Sequence, residues 1–190
     1  MKKINDKGFT LIELLAVIVI MGILMMVAIP AVSRTIENSR KDTFLDVAKQ
    51  YINATKTLWS ADGIKCPNGT EADHATPAYT VSSALPAGSY YVKIDTEDAN
   101  PDVVLLDQGG KSSWGNAPVE GYVKITTTAA ASGNVKTIYS IALKDKGGHG
   151  FDSEKSENGL GRSDVHTSGA AVTYPTAIAG NSGAIYCKEV

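Results

Sequence analysis

The sequence predicts an α+β fold: one long N-terminal helix over about residues 9–60, whose C-terminal half packs on a small antiparallel β-sheet head. Three observations carry that expectation. Every residue from Leu14 to Val32 is apolar, a run that rises roughly 29 Å as a helix, about the thickness of a bilayer's hydrocarbon core. From Phe44 the apolar residues recur with a helical period. Beyond Tyr90 the chain turns to short segments rich in β-branched and aromatic residues, bounded by turn clusters.

The chain begins with a short charged stretch, MKKINDKG, and the apolar run opens behind it at Phe9. One residue does not belong in that run. Glu13 places a carboxylate near the start of a segment that can span a membrane, where ionisable groups are costly and mark functional sites with a partner to be named. Lys2, Lys3 and Lys7 lie on the short side of the span, which puts that side in the cytoplasm and residues 33–190 outside it. Two other readings of this segment exist. A secretory signal peptide would be cut near Ala31, after its apolar stretch, but such stretches are shorter than this one. A plain single-span anchor accounts for length and hydrophobicity and leaves Glu13 unexplained.

Gly22 and Pro30 interrupt the apolar half. Proline lacks an N–H and crowds the carbonyl four residues back, here that of Met26, so its ordinary meaning in a helix is a kink. The amphipathic half, residues 33–60, then sets Phe44, Leu45, Val47, Ala48, Tyr51, Ile52, Leu58 and Trp59 on one face, with Asp46, Lys49, Gln50 and Asn53 opposite. A continuous helix over both halves would be roughly 77 Å long, more than a small domain can bury. The first half therefore needs lipid or neighbouring subunits.

Residues 61–190 form the expected head. Ala61 to Gly88 reads as an irregular connection with one short element near Val81. Strands are expected at Tyr90–Ile94, Val103–Leu106, Gly121–Thr128 and Val135–Leu143, the last two as a hairpin joined by AAASGN. From Asp145 a glycine-rich polar stretch follows, a loop of a length that is either functional or mobile. It carries Asp152, Glu154, Glu157 and Asp164 near His149 and His166, but no register reproduces a calcium loop. Starting at Asp152 puts Glu157 where glycine is required, and starting at Glu154 puts Val165 where the bidentate glutamate should be, so no metal and no cofactor is expected. His74 stands apart in the polar connection. Cys66 and Cys187 allow one disulfide in a compartment where disulfides persist, or two thiols.

The sequence shows no nucleophile elbow, phosphate loop or zinc-protease helix, and no enzyme is expected. Without residues 1–8 the 18 basic and 20 acidic residues become 15 and 19, net −4, with no basic run. Bulk electrostatics therefore do not point to nucleic acid as the main partner.

The string Gly8, Phe9, Thr10, Leu11, Ile12, Glu13 resembles the processing site of type IV prepilins and their pseudopilin relatives. That resemblance covers Met1 to about Val32. It implies a leader of residues 1–8 cut after Gly8 by a prepilin peptidase that also methylates the new amino terminus, Phe9. It also implies residues 9–32 in a filament core, with self, as a helical homopolymer, as principal partner, alongside a pilus assembly platform and its ATPase. The chain would sit in the cytoplasmic membrane before assembly and in an extracellular pilus after it, serving adhesion, surface motility or biofilm formation. Phe9 and Glu13 would set subunit register. Gly22 and Pro30 resemble residues bracketing a stretch of pilin helix that loses helical order on assembly; a static kink at Pro30 is the other reading. A C-terminal disulfide also occurs in several pilin branches, usually across a shorter segment than Cys66 to Cys187. A major pilin is the favoured function. A minor pilin, a pseudopilin of a secretion or DNA-uptake system, and a non-polymerising membrane-anchored binding module are the alternatives.

Overall fold

A computed structural model describes residues 8–61, 64–66, 79–80, 88–95, 112–116, 119–129, 135–174, 185–186 and 188–189. Helix α1 spans Leu11–Ser60 and runs through Gly22 and Pro30 without a break in its helical assignment. Its residues divide between two compact units, Met1–Ser39 and Arg40–Val190.

In the first unit the large apolar side chains of α1, from Leu11 to Ile36, are all half-exposed or more. The unit holds a helical segment long and apolar enough to cross a membrane.

In the second unit α1 supplies one wall of a core. Phe44, Leu45, Ala48, Tyr51 and Ile52 are buried, Val47, Leu58 and Trp59 pack beside them, and this is the stripe that the 3.6-residue period selects. Thr55 is buried on the same face because its hydroxyl donates to the Tyr51 carbonyl at 2.9 Å, which satisfies it within the helix.

The strands, in chain order, are β1 (Ile64–Cys66), β2 (Tyr79–Thr80), β3 (Gly88–Asp95), β4 (Val119–Ala129), β5 (Val135–Asp145), β6 (Lys155–Ser156), β7 (Ile185–Tyr186) and β8 (Lys188–Glu189). Five form a sheet in the order β6-β5-β4-β3-β7, antiparallel from β6 to β3, with β7 parallel to β3 at the edge. The expected hairpin is present: β4 and β5 pair from Val119↔Asp145 to Ala129↔Val135. Alternation along β3, β4 and β5 points Tyr90, Val92, Ile94, Val123, Ile125, Ile141 and Leu143 at α1. The opposite face holds a smaller cluster of Tyr91, Tyr122 and Ala142, against which Val172 and Tyr174 pack.

The expected antiparallel sheet is present from β6 to β3, and β7 adds a parallel edge to it. Other expectations are amended. The stretch after Ala61 contains β1 and β2, which with β8 make a second sheet in the order β2-β1-β8; strands of two or three residues have no period to read. The short element expected near Val81 is β2, Tyr79–Thr80, whereas the expected strand Val103–Leu106 and His74 lie outside the described residues. The glycine-rich stretch from Asp145 is built structure. It contains β6 and two 3-10 turns, Glu157–Gly159 and Arg162–Asp164, and it buries Phe151 and Val165 in the main core. Gly150 ties it to β5: with φ of +151°, its added Cβ would lie 2.2 Å from the Leu143 carbonyl oxygen. From there Gly150 exchanges backbone hydrogen bonds with His166 at 3.0 and 2.7 Å.

Candidate functional site

The residues singled out at the N-terminus meet at the first turn of α1. Thr10 precedes the helix, and its backbone N–H and its hydroxyl both donate to Oε2 of Glu13, each at 2.8 Å. Glu13 returns a longer bond from its own N–H to the Thr10 hydroxyl oxygen at 3.4 Å. This is a capping box: a threonine at the N-cap and a glutamate three residues on satisfy backbone donors that the helix itself cannot reach. The spacing Thr10-x-x-Glu13 before an apolar run is its sequence signal, and reasoning from the carboxylate's cost alone passes over it. The box also sets a negative charge in the first turn, where the helix dipole is positive.

Gly8 and Phe9 lie just before the cap, outside the helix, with the Phe9 side chain 91% exposed. Among the described residues a Cβ added at Gly8 would meet nothing within 4 Å, and the same holds at Gly22, so no contact among them requires either glycine. Cys66 is the last residue of β1, and Cys187 lies outside the described residues. The described ladder beside them pairs Ile64 with Glu189 and Lys65 with Lys188.

The charged groups of the head that suggested a cation loop are held by ion pairs and hydrogen bonds instead. Glu157 pairs with Lys56 of α1, and Glu154 with Lys124 of β4 at 3.1 Å. Asp152 lies 3.8 Å from Lys155 and 3.3 Å from His166. Asp164 pairs with Lys155 at 3.1 Å and accepts from the Gly161 N–H at 2.9 Å, and these bonds hold its carboxyl below the ordinary value. Arg162 donates to both oxygens of Asp42 on α1, at 2.7 and 2.5 Å, a planar two-point pairing that lowers the Asp42 carboxyl and raises the guanidinium. These contacts fasten the glycine-rich stretch along the head's part of α1. Among the described residues no three His, Cys, Asp or Glu side chains come together as a metal-binding group.

A serine, a histidine and an aspartate do converge, at the end of β5. Asp145 is 1% exposed and accepts from the Ser112 hydroxyl at 2.5 Å and from the Asn116 amide at 3.3 Å. The His149 backbone N–H lies 2.9 Å from Oδ1, and the His149 ring Nδ1 lies 3.0 and 2.9 Å from the two carboxylate oxygens. The order of contacts is wrong for nucleophilic catalysis, because Ser112 donates to the carboxylate and not to the imidazole that would have to activate it.

Residues 3–29 match the family described as the prokaryotic N-terminal methylation motif. No solved structure matches the chain. The match covers Lys3 and Lys7, the Gly8–Phe9 junction, the capping box and most of the apolar half of α1. With a long N-terminal helix followed by an antiparallel sheet, the α+β arrangement is that of type IV pilins. The chain thus carries a prepilin-type methylation motif ahead of an α+β arrangement like that of type IV pilins, and the motif supports a type IV pilin-like or pseudopilin subunit.

Proposed function

We propose that this chain is the major structural subunit of an extracellular type IV pilus, processed at Gly8–Phe9 and polymerised through the apolar half of α1. The methylation motif at residues 3–29 carries the reading. In support, the motif sits on a helical segment whose large apolar side chains are exposed among the described residues, as a subunit destined for lipid and then for a shared helical core requires.

In this reading residues 1–8 are a leader that stays at the cytoplasmic face until the prepilin peptidase cuts after Gly8 and methylates Phe9. Residues 9–32 anchor the precursor in the cytoplasmic membrane and later line the filament. Residues 33–60 carry the head of residues 61–190 outside. The assembly platform and its ATPase move the subunit from one environment to the other. Cleavage turns the Phe9 nitrogen into an amine, a cation with a reference pKa near 8. The Glu13 carboxylate, held in the single chain by Thr10, then has a second partner available: the Phe9 amine of a neighbouring subunit. That pairing fixes axial register, since any other offset leaves charges unpaired in an apolar core. Residues 22–30 are where the helix extends on assembly, a change the open space around Gly22 does not oppose. Cys66 and Cys187 form a disulfide; in support, β1, which ends at Cys66, pairs with Lys188 and Glu189, the two residues that follow Cys187 in the sequence.

Intact-mass measurement of sheared surface filaments tests the reading. The expected mass is that of a chain beginning with N-methylated Phe9, as the most abundant protein of the filament. A mature protein beginning at Met1 or near Ala31 would overturn the pilin reading. A correctly processed chain at trace level in filaments would assign it as a minor subunit.

A further inference from the structure

Asp145 lies outside the matched motif of residues 3–29 and gathers hydrogen bonds from Ser112, Asn116 and His149. Its partners lie on two segments. Ser112 and Asn116 close a turn on themselves through Ser112 N–H to Asn116 O at 2.9 Å and Gly115 N–H to Ser112 O at 2.8 Å. His149 ends the turn after β5, where the Asp145 N–H donates to the His149 carbonyl at 2.8 Å. Between Ser112 and Asn116 the turn presents two residues to α1. Ser113 donates its hydroxyl to the Arg40 carbonyl at 2.7 Å, and Trp114 packs on Phe44 with ring centroids 6.0 Å apart. The Trp114 ring also stacks on the His149 ring, with centroids 4.3 Å apart and 5° between the planes. One buried carboxylate thus holds the turn that sits on α1 where the head begins.

We propose that Asp145 is an acid-released clasp: its charged carboxylate pins the 112–116 turn on Arg40 and Phe44, and its protonation frees that turn from α1. Ionised, the carboxylate offers only acceptors, which suits a ring of donors; protonated, it turns an O–H toward groups that also donate. Burial is the largest single influence on this group and pushes its pKa up. The bonds from Ser112, the His149 N–H, the His149 ring and Asn116 together outweigh it and hold the carboxyl below its ordinary 3.8. Because the folded value is depressed, the clasp is held through neutral and mildly acidic conditions and is lost as pH falls through that lowered value. Among the described residues His149 is the titratable side chain in contact with Asp145. Lys144 of β5 and Glu120 of β4 pair with each other at 2.6 Å on the opposite face of the sheet, and on α1 Asp42 pairs with Arg162.

Trp114 reports the clasp directly. In the full chain, solubilised in detergent and carrying Trp59→Phe, Trp114 is the only tryptophan. Acidification is expected to shift its emission to the red in one step while far-UV circular dichroism retains the helix signal. Ser112→Ala and Asn116→Ala each remove a donor and should move that step to higher pH. Asp145→Asn should show the acid-form emission already at pH 7. Unchanged midpoints in both alanine variants, or native emission in Asp145→Asn at pH 7, would overturn the proposal. So would loss of the helix signal at the same midpoint as the emission in every variant, since that is global acid unfolding. These readouts use the precursor's head and do not depend on cleavage or filament growth.

Discussion

Phe151→Ala tests whether the glycine-rich stretch after β5 is part of the head's core or an appendage to it. Phe151 has no exposed surface, meets Phe44 edge-on with centroids 5.7 Å apart, and is fixed by its N–H bonded to the Leu143 carbonyl at 2.8 Å. Truncating a buried phenylalanine costs about 3 to 5 kcal/mol, and a fully enclosed site with an aromatic partner belongs in that range. Whole domains are stable by only about 5 to 15 kcal/mol, so this one change removes a large part of the total. For a unit of this size each kcal/mol moves Tm by roughly 2 to 4 °C, which gives a drop of roughly 6 to 20 °C. The assay is thermal unfolding of the detergent-solubilised full chain followed by near-UV circular dichroism. Asp152→Ala is the internal control: its neighbour in sequence is exposed and should stay within about 0.5 kcal/mol of wild type. Equal Tm values for the two variants would refute the placement of Phe151 in the core.

Gly121→Ala should destabilise the head by roughly 1 to 3 kcal/mol, because φ is +156° and the new Cβ would sit 2.0 Å from the Ala142 carbonyl oxygen of β5; faster amide exchange along β4 and β5 is the check. Cys187→Ser should lower head stability and leave cleavage after Gly8 untouched; the chain-entropy value for a loop this long is roughly 5 kcal/mol, and non-reducing peptide mapping reveals whether the bond to Cys66 exists. Glu13→Ala should be inserted and cleaved after Gly8 yet build no filaments when it is the only copy, as counted by electron microscopy. Pili of normal number and length in that strain would place register elsewhere.

Legibility followed periodicity. The Phe44 to Trp59 stripe was readable because eight apolar residues repeat at helical spacing, and β4 and β5 because long β-branched runs alternate between two faces. Phe151 and Val165 were not: each is a lone apolar residue among glycines and charges, and only the folded chain shows that both are buried. The Asp145 cluster was hidden because its members stretch from Ser112 to His149, a separation no local pattern spans. Glu13 was found from cost, as a carboxylate where none should be, whereas its partner Thr10 needed a spacing rule. The ladder of β1 with β8 was hidden because strands of three and two residues carry no period, whereas a Cys66–Cys187 bond was raised from cysteine count and compartment alone.

The capping box also bears on how deep the helix can sit. It satisfies the N–H groups of Thr10 and Glu13, but those of Leu11 and Ile12 fall in the first turn, beyond reach of the helix's own carbonyls. Hydrocarbon offers such donors nothing, whereas headgroups and interfacial water do. In the membrane-anchored precursor proposed above, the first turn of α1 is therefore drawn to the interface, while the residues from Leu14 onward are drawn inward. There the cap acts as a float: it sets the level of the helix in the bilayer from one end, and holds the Phe9 junction at the depth where water and the proposed peptidase reach it.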